Sequence, residues 1–420
     1  MTRLLVPESF GIMAIASTII FGLAMFSDMG LKQNVVQSAR GNDPNFLNTV
    51  WTIQILRGTA IWLIALCAGL GIWAANHFWL ISPTSVYGSP NLPYIIAVLS
   101  FAAVIQGFDS TKLYEASRRL VLGRITIIEV VVQIAGLTSM LCWVTFDRTI
   151  WALVSGSICS SMARAILSHA LLPGNPNRWQ WDFVALREIR NFGKWIFLSS
   201  IIGFFVLNGD RLMLGAFVNA TELGVYVIAY LIFAAVEQVL SKIILDVAFP
   251  VLSEIVRDRP TQLKEGYYRF QTVIASFSFF CSGFLVVTAR ILITLLYDKR
   301  YEDAGWMLAI LSIGLIAMPF RIATECFMAL GMPQVLSHVS SIRLVSLFLL
   351  TPIGFYFFDL PGALWAITLS QLSWLPMQIA YKIKYGLFDL KKELLQLMAL
   401  LVGIFAGAGF EFLVAVLRRS

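Results

Sequence analysis

Charge is what this chain has least of: Asp, Glu, Lys and Arg make up 13% of its 420 residues, against roughly 25% in an average soluble domain. Apolar residues reach 58%, a surplus no soluble globule of this size needs, so the soluble classes are excluded. Cysteine is sparse as well. Cys67, Cys142, Cys159, Cys281 and Cys326 stand far apart inside apolar stretches with no CxxC pair, which excludes a disulfide scaffold and leaves them as small packing residues. The three histidines, His77, His169 and His338, share no metal-ligand spacing, and no P-loop, GxGxxG turn or nucleophile elbow is present. Nothing supports an ATP-driven mechanism, and neither a metal nor a cofactor is expected.

What the chain does have is apolar runs: 10–31, 51–75, 92–108, 125–144, 150–172, 192–217, 223–250, 270–289, 304–330, 338–358, 361–381 and 394–417. Most reach the roughly 20 residues that carry a helix across a bilayer. These twelve runs, joined by short connections, predict an all-α polytopic membrane protein with about twelve spans. Lys and Arg gather in alternate loops, such as Arg118, Arg119, Arg187, Lys382, Lys391 and Lys392, which puts those loops in the cytoplasm and the N-terminus outside. Arg418 and Arg419 break the pattern. The net charge of +7 is thus mostly topological and gives no reason to invoke nucleic acid.

The stretch 191–254 organises the rest. Its second run opens Glu222-Leu223-Gly224-Val225-Tyr226-Val227-Ile228-Ala229, and the N-terminus has the related Glu8-Ser9-Phe10-Gly11-Ile12-Met13-Ala14-Ile15-Ala16. Aligning Gly11 with Gly224 predicts an internal repeat with an offset of 224 − 11 = 213 residues. A full apolar run precedes the second copy, whereas only residues 1–7 precede the first, so the first repeat is expected to lack its opening helix. The organisation expected is an N-terminal lobe at 1–190, a C-terminal lobe at 191–385 and an added membrane helix at 386–420.

Two patterns carry a family resemblance. One is Pro7-Glu8-x-Phe10-Gly11 with a helix ending Asp28-x-Gly30-Leu31. The other is Asn208-Gly209-Asp210-Arg211-Leu212-x-Leu214-Gly215 followed by Leu223-Gly224-x-Tyr226-x-x-Ala229. Together they resemble the polysaccharide transporter and O-antigen flippase family, in the superfamily of the MATE multidrug exporters and lipid II flippases. The resemblance implies two pseudo-symmetric helical lobes around a central cavity that opens alternately to each side. The implied cargo is a polyprenyl-diphosphate-linked glycan, moved to the outer leaflet of the bacterial inner membrane. A polysaccharide polymerase and glycosyltransferases are the implied partners besides the bilayer.

Ionisable residues inside membrane helices are unfavourable by about 2.5 to 3.5 kcal/mol each, so they face a cavity or a partner. Arg57, Arg164, Arg211, Lys242 and Arg321 are the candidates for binding a diphosphate, since guanidinium offers phosphate two parallel hydrogen bonds. Each has a plainer reading: Arg57 and Arg164 near the inner ends of their runs can snorkel, and Arg211 directly follows Asp210. Arg321 with Glu325, and Lys242 with Asp246, have the i, i+4 spacing of intrahelical ion pairs. Glu237, the deepest acid, is the first candidate for ion coupling, with Glu325 and Asp28 behind it; Asp28 also suits a role in ordering the turn before Leu31. The cluster Asp109, Lys112, Glu115, Arg118 and Arg119 is expected to be a solvated helix extension. Three rivals stand beside the transporter reading. A MATE-like exporter of small cations would want an acid-dominated cavity. A membrane enzyme of polysaccharide assembly would want a long periplasmic loop, and a scaffold role would suit a chain whose transport is impaired.

Overall fold

The computed structural model describes residues 4–417, without the side chains of 122 and 190–199. Arg418, Arg419 and the side chains of the 191–199 segment lie outside the described residues. All regular structure among the described residues is helical. The chain divides into two compact units, one ending at Thr221 and the other beginning at Glu222.

In the first unit α1 (Pro7–Phe26) starts with proline in its first turn and Glu8 near its positive end, both favourable there. Asp28 accepts a hydrogen bond from the Gly30 amide at 3.0 Å. Gly30 adopts φ +61°, a conformation that favours glycine, and opens α2 (Leu31–Gln37). The long α3 (Pro44–His77) is capped by Asp43. Then come α4 (Leu92–Leu99), α5 (Phe101–Gly107) and α6 (Lys112–Arg118), the last bent by 64° from the two before it. α7 (Leu122–Phe146) packs on α8 (Trp151–Ala170), and α9 (Phe183–Phe217), capped by Asp182, packs on α1.

α3 begins seven residues before the apolar run that marks it. Its polar first turns are not a loop, because Asn45, Asn48, Thr49 and Thr52 lie along one face and engage the connection leading to α9. Asn48 Oδ1 accepts from Arg178 N at 2.9 Å, Thr52 Oγ1 donates to Gln180 O at 3.1 Å, and Thr49 Oγ1 accepts from Asp182 N at 2.9 Å. Gln180 adds side-chain bonds to Asn48 and Asn45. Every second residue of this strap thus meets the helix.

The second unit holds α10 (Ala220–Ile243), which runs through a π-helical turn at Ile244–Ala248 into α11 (Phe249–Asp258). It continues with α12 (Leu263–Leu296), α13 (Ala304–Ile313), α14 (Met318–Ala329) and α15 (Gln334–Leu372). α16 (Leu375–Lys384), α17 (Leu390–Gln396) and α18 (Met398–Leu417) complete it. α15 breaks at Phe358 and Asp359, the latter at φ +51°. Its limbs meet so closely that a Cβ on Gly362 would lie 2.1 Å from the Gly354 carbonyl.

Nine helices among the described residues are long and apolar enough to span, or ten if the bent α4–α6 element counts as one, against the twelve runs expected. The difference has physical causes. The runs 338–358 and 361–381 fall in one element, Gln334–Lys384. α8, although helical over 20 residues, carries five serines, Arg164 and His169, which make it too polar. The chain is a multi-pass membrane protein.

Two charge assignments need correction. The 109–119 cluster is not a solvated extension: Asp109, Ser110, Thr111 and Glu115 are buried. Arg118 donates to the carbonyls of Val35, Val36 and Ser38, closing the C-terminal end of α2 where carbonyls lack helical partners. Lys382, read as a cytoplasmic loop cation, is fully buried. It pairs with Glu393 and sits over the rings of Tyr267, Tyr268, Phe320 and Phe388 at 5.2 to 5.8 Å, a cage that compensates a desolvated cation.

Candidate functional site

The first unit contains a cavity of about 610 Å³, and α3 supplies its chemistry. Gln54 and Arg57 are three residues apart on one face, and Gly58 beside them lets α5 come close: a Cβ there would lie 2.3 Å from the Ala103 carbonyl. Breaking the helix after Gly107 strands carbonyls that no further turn can satisfy. Gln54 answers them, its amide donating to the carbonyls of Gly107 and Asp109 at 3.1 Å and also to that of Gln106 at 3.0 Å, which accepts from the Asp109 amide as well. Its own oxygen accepts from the Tyr114 hydroxyl at 2.8 Å. The break is therefore pinned in place and holds Asp109 at the cavity wall.

Arg57 donates to the Ala24 carbonyl at 2.6 Å and to Ser27 Oγ at 3.1 Å, and lies 3.9 Å from Asp28. It thereby caps the negative end of α1 while its guanidinium lines the cavity. Arg164, on α8 across the same cavity, is held between Asp109 at 3.2 Å and Glu129 at 3.3 Å. Ser157, Ser160 and Ser161 add hydroxyls from α8. The lining holds two guanidiniums, one carboxylate and a row of neutral donors and acceptors, an arrangement suited to an anion with hydroxyl groups attached.

The other sequence candidates stand elsewhere. Arg211 is half-buried on α9 beside buried Asp210 and outside this cavity's lining. In the second unit Arg321 donates to Ser241 Oγ at 2.8 Å and lies 3.8 Å from Glu237. Its ion-pair partner is thus on α10 and is not its neighbour Glu325. Lys242 and Asp246 are both exposed and no ion pair joins them, since the intervening π-helical turn shifts Asp246 around the axis. Asp28 is both the Gly30 turn acceptor and the distant partner of Arg57. Sequence reasoning passed over Gln54, Tyr114 and the α8 serines, and misplaced Asp109. A neutral amide or hydroxyl in an apolar run gives no warning by itself.

Several known proteins resemble the chain. It is 22% identical over 320 residues to the lipopolysaccharide biosynthesis protein WzxC of Escherichia coli (strain K12), covering 74% of this chain and 61% of that protein. Identity is 20% over 292 residues to the teichuronic acid biosynthesis protein TuaB of Bacillus subtilis (strain 168), covering 68% and 57%. It is 21% over 327 residues to the succinoglycan biosynthesis transport protein ExoT of Rhizobium meliloti (strain 1021), covering 78% and 62%. The chain spans about three-fifths of the length of these relatives. Its fold is shared with an inward-facing multidrug resistance MATE family transporter of the MOP superfamily, at a TM-score of 0.68, 13% identity and coverage of 99% of this chain and 92% of that one. The lipid II flippase MurJ in an inward closed conformation gives 0.67, 12%, 95% and 85%. Spans and relatives together place the protein in the bacterial inner membrane. With residues 1–305 matched, the chain belongs to the polysaccharide biosynthesis protein family.

Proposed function

We propose that the chain flips a polyprenyl-diphosphate-linked oligosaccharide across the inner membrane, exposing its cavity alternately to the two sides, and that it is a transporter and not an enzyme. The observation that carries this reading is the convergence of Arg57 and Arg164 on one cavity. A diphosphate headgroup needs cationic, forked donors in a place where water is scarce, and the α8 serines supply partners for sugar hydroxyls. The names of the relatives, one of them a succinoglycan transport protein, support the same cargo class. A small organic cation is a poorer fit, since the lining has two guanidiniums against one carboxylate. In the second unit the Arg321–Glu237 pair is the proposed counterpart, with Glu237 and Glu325 retained as candidates for ion coupling. The repeat reading, with lobes at 1–190 and 191–385 and an added helix at 386–420, is part of the proposal, as are a polymerase and glycosyltransferases as partners.

The test is restoration of surface glycan in a host lacking its own flippase. Arg57→Ala and Arg164→Ala should each abolish or strongly reduce export while the protein still accumulates in the membrane. Normal export by both variants would remove the reading.

A further inference from the structure

Arg164 is not free to meet an anion. Its Nε lies 3.2 Å from Asp109 Oδ2 and its Nη2 3.3 Å from Glu129 Oε1, ion pairs by distance in which Nε makes no hydrogen bond, so two edges of the guanidinium face carboxylates. These acids differ in surroundings. The Glu129 side chain is 40% exposed, whereas that of Asp109 is 13% exposed. Moreover, Asp109 Oδ1 is buried without any hydrogen-bond partner. An ionised carboxylate is acceptor-only, and a buried oxygen left unmatched is costly. What compensates Asp109 as an anion is Arg164.

The charged and titratable groups around Asp109 are Arg164 on α8, Glu129 on α7 and Tyr114 on α6, with Arg57 and Asp28 further off and the His169 ring on α8 bonded to the neighbouring Phe108 carbonyl. If an incoming diphosphate draws the Arg164 guanidinium away, Glu129 can be rehydrated. Asp109 cannot: it would remain as a buried, uncompensated charge, among the least favourable states a protein side chain can occupy. Taking a proton from water removes that charge and turns the group into a donor.

We propose that Asp109 is the proton-accepting partner of Arg164, so that a diphosphate binding at Arg57 and Arg164 is exchanged against the Asp109 carboxylate and brings one proton into the cavity. Asp109 is then a positioning residue that holds Arg164 in reserve in the empty site and releases it on protonation. Linkage makes the effect reciprocal, with acid favouring diphosphate and diphosphate favouring the proton. The proposal rests on the anion-site reading above and names the exchange that the site performs.

The test uses the full chain in lipid nanodiscs with inorganic pyrophosphate as probe, titrated calorimetrically over a range of pH in two buffers of different ionisation heat. Pyrophosphate's own titration is common to all variants, so the readout is the difference between wild type and Asp109→Asn. Wild type should take up as much as one additional proton per pyrophosphate, and its affinity should fall with rising pH by up to about tenfold more per unit than that of the variant. Glu129→Gln should keep the wild-type slope. Infrared difference spectra of the wild type give a readout that needs no variant: pyrophosphate should raise a protonated-carboxyl band, and its absence overturns the proposal. Equal proton uptake in wild type and Asp109→Asn, with binding still weakened by Arg164→Ala, overturns the exchange and leaves the anion site standing. No pyrophosphate binding, or binding indifferent to Arg57→Ala and Arg164→Ala, overturns both.

Discussion

Single residues in this protein act mainly by supplying what a broken helix has lost. Gln54 is the clearest case, because one amide serves three carbonyls at a helix break and one hydroxyl at once, and the residue is 7% exposed. Replacing it with leucine keeps the volume and leaves the carbonyls of Gln106, Gly107 and Asp109, and the Tyr114 hydroxyl, without these bonds. Each buried group left unmatched costs about 1 to 3 kcal/mol, so Gln54→Leu should lower the unfolding temperature in detergent markedly. A leucine variant as stable as wild type would sink this account. The intramembrane arginines were legible in the sequence because charge in an apolar run is conspicuous. Gln54 was not, since its value depends on where a helix some fifty residues further on comes to an end.

At the scale of elements, length and apolarity announce the helices, while their ends are set by side chains that look like ordinary loop residues. Asp43 caps α3 through the Asn45 amide and Asp182 caps α9 through the Val184 amide. Arg40 donates to both carboxylates and so joins two helix starts that the sequence keeps far apart. The Arg40 hydrogen bonds hold the Asp43 and Asp182 carboxyls below the usual carboxylate range. Groups whose folded pKa is depressed stabilise the fold above the unfolded value of about 3.9, and that contribution is lost as pH falls through the folded value. Exposure keeps it small. The expectation is that Arg40→Ala unfolds at a lower temperature than wild type at neutral pH and that the gap narrows as pH falls below the unfolded value; a gap independent of pH would mean that the tie is not ionic. The same reasoning explains why residues 44–50 read as a loop: their polarity is spent on the strap, and only the fold brings the strap alongside.

For the whole molecule, the question the sequence answers best is which way the chain crosses the membrane, and the first unit gives that answer a ruler. α3 has 34 residues, about 51 Å at 1.5 Å per residue, well beyond a hydrocarbon core of roughly 30 Å. The strap that carries Arg178 and Gln180 is bonded to its N-terminal turns, while the connection through Thr84 follows its C-terminal end. Those two connections therefore lie at opposite ends of one spanning helix. The excess of Lys and Arg assigns the strap end to the cytoplasm. With the five native cysteines replaced by alanine, Thr84→Cys should react with a membrane-impermeant thiol reagent in intact cells. Asn175→Cys, exposed just before the strap, should react only after the cells are opened. The reverse pattern would invert the orientation and leave the fold intact. Labelling of both positions from one side would contradict α3 as a spanning helix, and with it the membrane placement of the cavity that α3 lines.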